Sequence, residues 1–200
     1  MMRRLIVFLL FASCLPIAHA GYADGLISAG EYEYGIDWVS GLLVVNGGGA
    51  DMIEVRNSAC LEVYSTSTPL GYTGGIMDIV LGKNSHMEYF GGETEEITIG
   101  QNATANLYGG RIDYITSAQY ATTEHINIYC QTGWAWLYGA SNKIVGITGL
   151  WRDGSDFNIR FTTNGETFGA DPVWMNVNVI PEPATLALLG VGGLLLRRRR

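Results

Sequence analysis

Apolar and polar residues alternate along the middle of this chain in short bursts. Ile79 and Leu81, then Met87 and Tyr89, take every second position; Ile97 and Ile99, then Ala105 and Leu107, do the same. A period of two over so few residues predicts short strands with one buried face. Turn chemistry separates the bursts: Gly82-Lys83-Asn84, Gly100-Gln101-Asn102, and the pairs Gly91-Gly92 and Gly109-Gly110. No stretch between the two chain ends carries the 3.6-residue period of an amphipathic helix.

The bursts repeat. Ile79–Gly92 aligns with Ile97–Gly110 without a gap at an offset of eighteen residues. A looser copy runs from Ile53 through Asn57 to Tyr64, and another starts at Ile115. Ile126-Asn127-Ile128 and Trp134-Ala135-Trp136 keep the alternation but lose the spacing. The expectation is an all-β parallel β-helix, or β-solenoid, with coils of about eighteen residues whose strands lie about 4.8 Å apart. Asn57, Asn84 and Asn102 should share a corner, because asparagine tolerates the left-handed conformation a corner requires. Gly74-Gly75, Gly91-Gly92 and Gly109-Gly110 should make a second corner. Ile79/Ile97, Leu81/Ile99 and Tyr89/Leu107 should stack inside. A right-handed helix is preferred to the left-handed hexapeptide type, whose pattern fails at Glu93-Thr94 and Arg111. An antiparallel β-sandwich would explain the strands but not the ungapped repeat. Gly21–Ser40 and Trp151–Ile180 are less periodic and read as caps on the two ends.

The chain ends have another grammar. Arg3-Arg4, the apolar Leu5–Leu15 and Ala18-His19-Ala20 form a signal peptide over residues 1–20, with cleavage after Ala20. The polar flank of a twin-arginine signal is missing, so the Sec machinery is the expected export partner; Phe11–Cys14 is a poor lipoprotein site. Residues 181–200 consist of Pro181-Glu182-Pro183, the uncharged Ala184–Leu196, and Arg197, Arg198, Arg199 and Arg200. The prolines hold the motif extended. The apolar segment is shorter than the roughly 20 residues of a full transmembrane helix, and the arginines should stay cytoplasmic. This tail resembles the PEP-CTERM sorting signal of exported bacterial proteins. The resemblance implies processing by an exosortase, transient membrane anchoring through the tail, loss of Ala184–Arg200, and delivery to the cell envelope, surface or extracellular matrix. Family members are often linked to extracellular polysaccharide.

Residues 21–180 are long enough for one domain, and charge narrows its partners. The whole chain has a net charge of −7, but six of its twelve Lys and Arg lie in the two ends. The body keeps six bases against eighteen acids, a net −12. Nucleic acid is excluded as a partner on that balance, since it demands phosphate neutralisation. Cys60 and Cys130 would meet an oxidising compartment, where a disulfide and two buried thiols are both acceptable.

Candidate chemistry is sparse. His86 and His125 stand in no metal-ligand pair, and His86, beside a turn, reads as an outward-facing residue. There is no nucleophile elbow or phosphate loop, and Gly47-Gly48-Gly49 and Asp153–Asp156 read as turns. Asp78 and Glu96 occupy equivalent repeat positions, so they could stack as a weak calcium site or an acid–base pair. Trp134, Trp136 and Tyr138 alternate along one strand; exposed they would stack on sugars, buried they would close the core. The expected function is a non-catalytic, structural or adhesive one at the cell surface, with no cofactor. The alternative is a β-helix module that binds or cleaves extracellular polysaccharide.

Overall fold

The computed structural model describes residues 24–67, 75–118, 121–140, 142–162 and 172–181. Ala18, Ala20, Gly74, Glu182, Pro183, the apolar tail and Arg197–Arg200 lie outside the described residues. Among the described residues no helix is long and apolar enough to cross a membrane.

The elements, in chain order, are β1 (Gly25–Ser28), β2 (Tyr32–Glu33), β3 (Ile36–Trp38), β4 (Leu42–Asn46), β5 (Gly49–Val55), β6 (Cys60–Ser65), β7 (Ile76–Leu81) and β8 (His86–Tyr89). There follow β9 (Glu93–Ile99), β10 (Thr104–Leu107), β11 (Arg111–Ser117), β12 (His125–Cys130), β13 (Ala135–Tyr138), β14 (Ile144–Leu150), β15 (Asp156–Thr162), a 3-10 turn (Val173–Asn176) and β16 (Val177–Pro181). From β4 to β12 the chain crosses from one sheet to the other at every strand. The first sheet has the order β1-β4-β6-β8-β10-β12-β16, and the second has the order β2-β5-β7-β9-β11-β15-β14-β13, with β3 also on β5. Every pairing in the first sheet is parallel. The second is parallel as far as β15, then turns antiparallel through β14 and β13.

Register follows the apolar pattern. Ile79 pairs with Ile97, Leu81 with Ile99, and Tyr89 with Leu107. All six are 0% exposed, so each column of like side chains lies between the sheets. Burying one such side chain contributes about 1.5–3 kcal/mol. The corners also follow their chemistry: Asn57, Asn84 and Asn102 have φ of 57°, 62° and 59°. Gly110 turns at φ 82°, and a Cβ there would meet the Gly92 carbonyl oxygen at 2.6 Å. This corner therefore requires glycine both for its conformation and for the closeness of the Gly91-Gly92 backbone.

The hexapeptide pattern breaks at Glu93-Thr94 and Arg111 for a visible reason. Thr94 and Ile112 are buried, as are Ile97 and Ile115, with two residues between the inward positions instead of one. Thr94 can replace an apolar residue because its hydroxyl lies 3.0 Å from the buried Tyr89 hydroxyl. At the C-terminal end of the core sits Trp151, 0% exposed. Its Nε1 donates to the Gly110 carbonyl at 2.8 Å, and its ring packs on Phe157.

Candidate functional site

The outer face of the first sheet carries a feature that no fixed spacing along the chain reveals. Val63, Tyr89, Leu107 and Ile128 share a register and point inward. The residue after each must then point outward, and these are Tyr64, Phe90, Tyr108 and Tyr129. Their rings stack in series at 4.9, 5.1 and 4.4 Å, with interplanar angles of 14°, 12° and 15°. Arg152 adds its guanidinium 5.2 Å from the Tyr129 ring centre, a cation–π contact. At the other end Tyr64 is 40% exposed.

A polar ladder runs beside the rings. Glu62, Glu88, Asn106, Asn127 and Asn178 stand in register. Asn106 Nδ2 donates to Glu88 at 2.7 Å, Asn127 Nδ2 to Asn106 Oδ1 at 2.7 Å, and Asn178 Nδ2 to Asn127 Oδ1 at 3.3 Å. The Tyr64 hydroxyl donates to Glu62 at 2.9 Å. Partial burial works to raise the Glu88 pKa, but hydrogen bonds from His86, Asn106 and Tyr108 outweigh it and hold the carboxyl below its ordinary range. Burial, and then Glu88, push the Tyr108 hydroxyl well above its ordinary value. The face therefore presents neutral ring edges and amides around a fixed carboxylate.

The residues singled out by sequence are dispersed. Asp78 and Glu96 are neighbours on the second sheet, Cα opposite Cα. Burial, followed by the charges of Glu96 and Glu95, raises the Asp78 pKa. Glu96 accepts from Thr116 at 2.5 Å. Among the described residues no group of three His, Cys, Asp or Glu gathers to hold a metal. His86 faces outward and pairs with Glu88 at 2.7 Å, and His125 is exposed. Asp153 closes a turn by accepting from the Ser155 amide and hydroxyl at 2.9 and 2.6 Å.

Trp134, Trp136 and Tyr138 do not form one face. The two tryptophans are half-buried against the core and meet edge to face at 5.2 Å. The register shifts between Leu137 and Tyr138, and Tyr138 is left 57% exposed. It joins Lys143, Phe161 and Trp174 around a cavity of about 350 Å³.

Cys60 and Cys130 are both free thiols. They lie on β6 and β12, with β8 and β10 between. Three strand steps of about 4.8 Å separate them by at least about 14 Å across the sheet, twice the reach of a disulfide. The candidate bond is thus corrected to two separate thiols, each with its pKa raised chiefly by burial.

A family model, the PEP-CTERM protein-sorting motif, matches residues 179–200. The chain therefore carries this sorting motif, which marks an exported protein sorted by an exosortase to the cell envelope. The match includes the end of β16, so the motif begins at the last rung of the first sheet. No curated protein and no solved structure matches the chain.

Proposed function

We propose that the chain is a β-solenoid with a structural or adhesive role at the cell surface or in the extracellular matrix, and that it works without catalysis. The solenoid reading is supported by the alternation of successive strands between two parallel sheets and by the recurring Asn and Gly corners. The observation that carries the adhesive role is the outer face of the first sheet. Four stacked rings and a parallel ladder of amides and carboxylates repeat at the strand spacing. A repeating surface suits a repeating partner, and polysaccharide is the repeating polymer outside a cell. Sec export and exosortase processing would bring the face to that polymer.

Co-sedimentation of the exported protein with the producing cell's own extracellular polysaccharide tests this, with reducing ends and unsaturated sugars assayed in the same tubes. Saturable binding without new ends is expected, weakened when Tyr64 is changed to serine. Release of fragments would instead establish a polysaccharide-cleaving enzyme. A second reading, a carbohydrate module binding single sugars, is favoured by the aromatic cavity at Tyr138 and Trp174. Binding of monosaccharides, lost in Tyr138→Ser and unaffected by Tyr64→Ser, would support it over the first.

A further inference from the structure

The body has six Lys and Arg residues, and at least three of them are engaged. Arg56 binds Asp37 and Glu54, Arg111 binds Asp113, and Arg152 lies over Tyr108 and Tyr129. Arg160 on β15 is exposed and forms no ion pair among the described residues. It stands between Tyr114 of β11 on one side and Gly146 of β14 on the other. Gly146 is small by necessity, because a Cβ there would lie 2.4 Å from the Ile159 carbonyl oxygen. Gly146 is itself buried, and the Leu137 side chain of β13 lies beside it. Together Asp113, Tyr114, Asn158 and Arg160 line a shallow recess of about 330 Å³.

We propose that this recess binds a uronic-acid unit of an extracellular polysaccharide, which rests on the adhesive reading above and names its polymer class. The planar guanidinium matches a carboxylate with two parallel N–H donors. Tyr114 supplies an apolar ring beside it, and the Asn158 amide both donates and accepts. Asp113 is fixed by Arg111 at 3.0 and 3.2 Å, so it accepts from sugar hydroxyls in one position. The acidity of the body does not forbid the contact. Charges beyond about 8 Å are screened at physiological ionic strength. Within that range Arg111 offsets Asp113, and Glu96 stands on the far side of Tyr114 from Arg160.

The test is calorimetry of the full exported protein with an oligogalacturonate in chelator, beside its carboxyl-reduced form and a neutral dextran. Saturable binding of the oligogalacturonate alone is expected. It should weaken at least tenfold in Arg160→Met and less in Arg160→Lys, while thermal unfolding of both variants stays unchanged because the side chain is exposed. Equal binding of the carboxyl-reduced form, unaltered binding by Arg160→Met, or no binding by the unaltered protein would each overturn the proposal. If those results came with retained co-sedimentation on the cell's own polysaccharide, the adhesive reading would survive and only the acidic site would fall. Loss of both would remove both.

Discussion

Replacing Asn102 tests the corner between β9 and β10. Asn102 has φ 59°. Its Nδ2 donates to Asn84 Oδ1 at 3.2 Å, and its Oδ1 accepts from the Thr123 hydroxyl at 2.6 Å. Asn102→Ala removes both bonds and puts a Cβ without a compensating polar group into the left-handed region. The strain costs about 1–2 kcal/mol, and two solvent-facing hydrogen bonds add about 1 kcal/mol together. Asn102→Gly removes the same bonds but not the conformational freedom to turn. Its penalty is the looser unfolded chain, about 0.4–1 kcal/mol relative to alanine. The net expectation is that alanine is worse than glycine by about 0.5–1 kcal/mol. Urea unfolding followed by tryptophan fluorescence reads this, because Trp151 is 0% exposed in the folded chain. At an unstrained turn the order reverses, with alanine the more stable. Alanine equal to or better than glycine would therefore refute the corner argument, whatever the absolute losses.

Other outcomes follow from the same structure. Tyr89→Phe leaves the buried Thr94 hydroxyl without its partner, so unfolding free energy should drop by about 1–3 kcal/mol; adding Thr94→Val should recover part of that loss in the same urea titration. Asp78 has a raised folded-state pKa, so its proton is held more tightly by the folded than by the unfolded chain. Its contribution favours folding at acid pH and is lost as pH rises through the folded value. Asp78→Asn should therefore raise the melting temperature near neutrality and give no gain below the ordinary carboxylate range. With two carboxylates and no third ligand among the described residues, millimolar calcium should move neither melting temperature. For the sorting motif, mass spectrometry of the surface form should find a chain lacking Ala184–Arg200; an intact arginine terminus on exported protein would contradict exosortase processing.

The interior was readable because one physical rule governs it. Positions between two sheets must be apolar and must alternate, so Ile79, Leu81, Ile97 and Ile99 announce themselves, and their ungapped offset announces parallel pairing. The positive-φ asparagines were readable for the same kind of reason, since few residues can occupy that conformation. Thr94 reads as a break in the apolar pattern because its polarity is answered by Tyr89, a residue on the other sheet. The disulfide could not be decided from sequence, because the number of residues between two cysteines says nothing about how many strands separate them.

The outer face was illegible for a different reason. Tyr64, Phe90, Tyr108 and Tyr129 are twenty-six, eighteen and twenty-one residues apart. Connections between strands lengthen without disturbing the sheet, so a fixed period loses the ladder while the register keeps it. Outward positions also carry no burial constraint that would force their identity. Four aromatic residues in register on a face free to be polar therefore need a cause beyond folding pressure on single positions. Ring stacking supplies part of it, at about 0.5–1.5 kcal/mol per pair. Stacking alone would be served equally well by rings that end in carbon. Three of the four instead end in hydroxyls, one donating to Glu62 and one bonded to Glu88. That choice keeps the edges polar and oriented, as a surface meeting a hydroxylated polymer requires. Phenylalanine at Tyr64, Tyr108 and Tyr129 together should thus preserve the fold and diminish co-sedimentation with polysaccharide, and undiminished binding by that triple variant would leave the ladder a purely structural device.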